Sequence, residues 1–157
     1  MNDHHIRQQL VNALSKRQAH QLFETVIENF PAAHYNTKPA NVPYSFWHLL
    51  EHMRIAQADI LEYIMNADYQ YLNFPDDYWP APDARADLAE WQRTIDLFLA
   101  DRAALVEIVQ DPARDLTAQI PHGEPGHTVL REILIVAAHN AYHIGEFGIL
   151  RGTLGLW

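Results

Sequence analysis

Nine prolines, at positions 31, 39, 43, 75, 80, 82, 112, 121 and 125, divide the chain so that four long segments contain none. Proline inside a helix removes a hydrogen bond, clashes with the preceding turn and costs about 3 kcal/mol, so the helices must lie in those four segments. The first covers about residues 3–30. Ile6, Leu10 and Leu14 keep helical spacing, whereas Ala19, Leu22, Phe23, Val26, Ile27 and Phe30 follow another stripe, so a kink or break is expected at Ser15-Lys16-Arg17-Gln18. Ser45 is suited to cap the second helix, whose arc of Phe46, Leu49, Leu50, Met53, Ile60 and Ile64 should end within residues 66–71. The third is expected over about residues 83–110, with Leu88, Trp91, Ile95, Phe98, Leu99, Leu105, Ile108 and Val109 inward and Asp111-Pro112 as its stop. Thr128 can cap the fourth. The aromatic, proline-rich residues 73–82 read as a loop over one end of the helices. With no strand-period alternation and no internal repeat, the pattern predicts an all-α four-helix bundle, one domain over residues 1–157.

The fourth segment also concentrates chemistry. His139 and His143 stand four residues apart, about one helical turn, so their imidazoles leave the same face. At about 100° per residue, Glu132, Val136, His139, His143, Glu146 and Leu150 share one narrow stripe of an otherwise apolar helix. Burying such groups unpaired costs several kcal/mol, and a bound metal ion is the commonest compensation for clustered imidazoles. Cysteine is absent, so nitrogen and oxygen must hold any metal. On the second helix His52 sits at the edge of the apolar arc, while His48 lies about 40° further toward solvent. Three imidazoles from two facing helices, His52, His139 and His143, make a site with open positions, as in catalytic rather than structural metal centres. The competing readings are core histidines satisfied by hydrogen bonds, and a second helix on which His48 and His52 both face water.

Several further residues are ambiguous. Glu132, Asp59 and Glu146 can orient a ligand imidazole or take a proton, or else occupy solvated edges. His122 belongs either to the surface or to the mouth of the site, and His20 is equally open; His4 and His5 are expected on a solvated helix end. Asn140 stands where the metalloprotease motif has its glutamate base, which excludes that class. A formal net charge of -9 argues against a nucleic-acid partner, because such affinity comes largely from Lys and Arg neutralising phosphates. The start of the chain has no apolar signal core, and the longest uninterrupted apolar run, residues 133–138, is short of a bilayer span, so a cytoplasmic protein with no membrane partner is expected.

Several of these blocks together resemble a known family. They are Ala19-His20; Ser45-Phe46-Trp47-His48-Leu49-Leu50-Glu51-His52 with Arg54-Ile55-Ala56-Gln57; Ile120-Pro121-His122-Gly123; Leu130-Arg131-Glu132; and His139-Asn140-Ala141-Tyr142-His143-Ile144-Gly145-Glu146. In them the chain is similar, over nearly its whole length, to the DinB-like (YfiT-like) metalloenzymes. The resemblance implies a four-helix bundle, commonly a homodimer, with one divalent transition metal, Zn²⁺ or Ni²⁺, held by His52, His139 and His143. Relatives include transferases that use low-molecular-weight thiols such as bacillithiol or mycothiol, so a thiol and an electrophile are the implied substrates. The chain departs from them at Glu146, where glutamine is common, and at His127, where a relative often has glutamine. Thiol S-transfer is the expectation; a metal-dependent hydrolase and a non-catalytic metal-binding or structural dimer are its alternatives.

Overall fold

Residues 3–157 are described by the structure, a computed structural model; Met1 and Asn2, where the reading of the chain's start begins, lie outside the described residues. Among the described residues there are five α-helices and no strand: α1 (His4–Ser15), α2 (Phe23–Ile27), α3 (Phe46–Met65), α4 (Leu88–Gln110) and α5 (Val129–Thr153). The four long ones form the bundle, with α1 and α3 each packed against both α4 and α5. Local chemistry sets their ends. The Ser45, Asp87 and Thr128 side chains accept the backbone N–H groups of His48, Glu90 and Arg131, satisfying donors that a first turn leaves unpaired.

The core has two apolar clusters, and their membership fixes the direction of each helix. One joins Phe23 and Val26 of α2, Phe46 to Met53 of α3, Trp91 to Phe98 of α4, and Ile144 and Phe147 of α5. The other joins Leu10 and Leu14 of α1, Tyr63 and Ile64 of α3, Leu105 to Val109 of α4, and Val129 to Val136 of α5. The first halves of α3 and α4 therefore share one end of the bundle, so these helices run the same way and α5 runs against them. Residues 66–87 must then travel back along the outside of α3, a long crossover of the kind four-helix bundles tolerate. Fully buried Phe23, Phe46, Phe98 and Phe147 each contribute about 1.5–3 kcal/mol of apolar burial, and Tyr35 stacks on Trp91 at 4.0 Å. At the other end Arg7 donates to the carbonyls of Val109, Asp111 and Arg114, placing a cation where the C-terminus of α4 leaves its carbonyls unpaired.

The return segment lies on one stripe of α3 in reverse order. His48 meets the Ala81 carbonyl, His52 the Tyr78 carbonyl, Asp59 the Tyr69 and Tyr78 hydroxyls, and Tyr63 the rings of Tyr69 and Tyr71. This path corrects the expectation that residues 73–82 cover one end of the bundle: they run along its flank. It also corrects His48, which is buried rather than turned to solvent, because a wheel drawn for α3 alone omits the segment laid over that face.

Other boundaries differ in smaller ways. The break after α1 falls where expected, but the helix beyond it ends at Ile27, and Asn29 takes a left-handed conformation (φ 52°) before Pro31. α4 begins at Leu88 rather than near residue 83, because the Asn36 amide pairs with both backbone groups of Ala86 and holds the preceding residues extended. Leu88, expected inward, is exposed. α5 is long and apolar enough to cross a membrane by length and composition, a test that a bundle's core helix also passes, and its buried residues include Glu132, Asn140, His143 and Arg151.

Candidate metal centre

His52, His139 and His143 converge at the waist of the bundle, between the two apolar clusters. Each offers one ring nitrogen, and these nitrogens all lie within 4.8 Å of one another. His52 Nε2 is 3.2 Å from His143 Nε2 and 3.1 Å from His139 Nε2. Two nitrogens on a tetrahedral Zn²⁺ at about 2.05 Å would stand about 3.3 Å apart.

The far sides of the rings decide what those nitrogens carry. His52 Nδ1 faces the Tyr78 carbonyl at 2.8 Å, and a carbonyl can only accept, so Nδ1 holds the proton. His143 Nδ1 faces the Glu146 carboxylate at 2.7 Å and is a donor by the same argument. In the neutral rings both Nε2 atoms are then bare lone pairs, aimed at each other across 3.2 Å with no proton between them. Two facing lone pairs repel, and a shared cation removes the repulsion. His139 Nδ1 is buried without a hydrogen-bond partner, as is Oδ1 of the neighbouring Asn140. Burial, and then repulsion from His143 and His52, pushes the His139 pKa down to about 4; burial likewise lowers that of His52. The Nε2 lone pairs of His52 and His143 face each other, His139 Nε2 stands 3.1 Å from that of His52, and the lowered pKa values of His139 and His52 favour neutral rings, so the donor set fits a divalent ion.

The surroundings hold this arrangement. The Trp79 indole lies parallel on the His52 ring, centroids 3.9 Å apart, and Tyr44 stacks on Trp79 at 4.8 Å. The Tyr44 hydroxyl donates a hydrogen bond to Glu146 Oε1, and the other oxygen of Glu146 accepts one from His143 Nδ1. The Tyr44 pKa is raised, by burial first and then by Glu146, so the phenol remains a donor. The pKa of Glu146 is lowered: its hydrogen bonds from His143 and Tyr44 outweigh the cost of burial. Beside the imidazoles, Gln57 bridges α3, α4 and α5 by donating to the Phe98 carbonyl and accepting from Asn140.

Of the three candidate carboxylates, only Glu146 touches an imidazole of the cluster. Asp59 is taken up by Tyr69 and Tyr78. Buried Glu132 pairs with Arg131 and faces His127 at 3.7 Å. His122 does not reach the mouth of the site; its ring bonds to the Tyr63 carbonyl, three turns along α3 from His52. His20 bonds to the adjacent Gln21 carbonyl, and His4 and His5 are exposed on α1. The sequence did not single out Tyr44, Tyr78 or Trp79; the density of aromatics over residues 69–79 was the available signal for Tyr78 and Trp79, and none pointed to Tyr44.

The family model of the DinB superfamily matches residues 16–147. That span includes all three imidazoles and the whole return segment. The chain belongs to the DinB superfamily. No curated protein and no solved structure matches it. In this DinB protein the three-histidine group fits a metal-binding protein, and the fold that carries it is the helical one expected.

Proposed function

We propose that this DinB protein is a divalent-metal-dependent enzyme of the low-molecular-weight-thiol S-transferase type, with His52, His139 and His143 as ligands. One observation carries the reading: the Nε2 lone pairs of His52 and His143 are forced to face each other by the Tyr78 carbonyl and the Glu146 carboxylate. Three neutral imidazoles leave the charge of a divalent ion uncompensated, and such an ion lowers the pKa of a bound thiol so that it can serve as a nucleophile. The family resemblance favours a thiol over water at the open position; hydrolysis is the second reading, and it uses the same residues.

The chain's own groups define the approach. His139 is the least buried of the three, and on the wheel of α5 it borders an exposed apolar stripe of Leu134, Ile135, Ala138, Tyr142 and Ile149. The stripe supports the expected homodimer, in which a second copy covers the outer face of α5.

The test begins with metal-stripped protein. Zn²⁺ or Ni²⁺ should raise the melting temperature in a concentration-dependent way, since an ion bound only by the folded state stabilises it by mass action. The loaded protein should then consume low-molecular-weight thiols in the presence of alkylating electrophiles. A wild-type protein that gains no stability from either ion rules out the metal reading; a loaded protein that cleaves esters or amides but transfers no thiol replaces S-transfer by hydrolysis.

A further inference from the structure

Asp59 lies seven residues, or two turns, beyond His52 on the same stripe of α3. It makes no contact with the cluster. Each of its oxygens instead takes one phenol of the return segment, Oδ1 from Tyr69 at 2.6 Å and Oδ2 from Tyr78 at 2.6 Å. Tyr78 is the residue whose backbone carbonyl accepts the His52 Nδ1 proton. The side chain and main chain of a single residue are therefore held by two groups on one helix. We infer that Asp59 is a positioning residue for the metal site: by gripping Tyr78 it sets the carbonyl that fixes the tautomer and direction of His52.

The rest of the segment offers little else that could do this. Asn73, Phe74, Pro75, Asp76 and Asp77 are all exposed, with Phe74 85% accessible, so burial does not anchor the approach to Tyr78. Beyond it the anchors are the stack of Trp79 on His52 and the bond from His48 to the Ala81 carbonyl. Those hold the plane of the imidazole and the path of the chain, but neither selects which ring nitrogen carries the proton. That selection needs an acceptor at Nδ1, and the Tyr78 carbonyl is the one present. The two phenols suit their role, because burial first and Asp59 second push their pKa values up and keep them as donors. On His143 Glu146 does the equivalent task directly. His143 on α5 is thus oriented by a carboxylate, and His52 on α3 by a carbonyl that a carboxylate holds from behind.

This inference rests on the three-histidine reading, and its test separates the two. Histidine tautomers of the metal-free protein at pH 8 are read by nitrogen-15 NMR for wild type, Asp59→Ala, Tyr78→Phe and the double variant, and Zn²⁺ affinity is measured by competition for the same four proteins. In wild type both His52 and His143 should carry their proton on Nδ1. Each single variant should turn His52 into a mixture of tautomers, leave His143 unchanged, and weaken Zn²⁺ binding by about 10- to 100-fold, the usual cost of losing an orienting partner. The double variant should lose no more than either single one, because the two residues act as a unit. An unchanged His52 in the variants overturns the proposal. So does a change in both imidazoles together, which would indicate general loosening. Should Asp59→Ala fail to fold, Tyr78→Phe decides by the same criteria. A wild-type protein that takes up no Zn²⁺ would remove the metal reading, while the tautomers of the metal-free chain still decide what Asp59 does.

Discussion

The departure at residue 146 is chemically mild, and the structure gives the reason. Glu146 accepts two hydrogen bonds, from His143 Nδ1 and from the Tyr44 hydroxyl. A glutamine can still accept from His143 through its carbonyl, and its amide can donate to Tyr44, because a hydroxyl reverses its role freely. Glu146→Gln should therefore keep metal affinity within about 10-fold of wild type, whereas Glu146→Ala, which leaves His143 without an orienting partner, should lose about 10- to 100-fold. Competition titration with Zn²⁺ checks both, and a glutamine variant as weak as the alanine one would show that charge matters more than orientation. A second prediction concerns His139 in the metal-free protein. Its pKa is pushed down to about 4 in the folded chain, by burial and by the neighbouring imidazoles, from the 6.5 of an ordinary histidine. Between those values the unfolded chain binds more protons, so stability rises with pH and is lost as pH falls from about 6.5 toward 4. Urea midpoints of stripped protein should decline across that range, and less steeply in His139→Ala; parallel slopes would assign the decline to other groups. The sequence disclosed the three imidazoles because helical spacing is local. Asp59 stood out as a carboxylate that could orient a ligand imidazole, but its partners, Tyr69 and Tyr78, lie in a loop whose path no helical period encodes.

At the scale of elements, α3 and the segment that returns over it behave as one unit. His48 and His52 are a turn apart, and each sends a ring nitrogen to a carbonyl of that segment, Ala81 and Tyr78. Their tasks nevertheless differ. His48 spends its second nitrogen on the Ser45 hydroxyl, whereas His52 turns its own toward His139 and His143. His48→Ala should destabilise the fold by about 1–3 kcal/mol, since buried polar groups lose their partner, and leave most of the metal affinity. His52→Ala should abolish tight binding. Melting curves and metal content of the two variants check this, and equal metal loss from both would mean that His48 is itself a ligand or that the return segment fails without it. The proline pattern located the elements because proline acts on its own turn. It did not disclose that α3 and α4 run in the same direction, which depends on which halves share an apolar cluster, and so it missed the long return, without which the wheel of α3 turned His48 to solvent.

For the molecule as a whole, one consequence of that return concerns its integrity as a single chain. Tyr71 is 62% exposed in the stretch joining α3 to α4, and a cut after it would yield two pieces, residues 1–71 and 72–157. The first piece keeps α1, α2 and His52, the second keeps α4, α5, His139 and His143, and neither holds a complete ligand set. Each piece also carries part of both apolar clusters, so the pair has reason to stay associated after the cut. The ion would then join two polypeptides instead of closing a loop in one, and their association would depend on both dilution and metal. Protein nicked by chymotrypsin and diluted on a sizing column should remain whole in Zn²⁺ and separate sooner in chelator. Pieces that part at the same dilution in both conditions would show that the apolar clusters alone bind the two halves. Severed there, a metal-binding chain would become a metal-gated heterodimer whose subunit boundary runs directly between His52 and the His139–His143 pair.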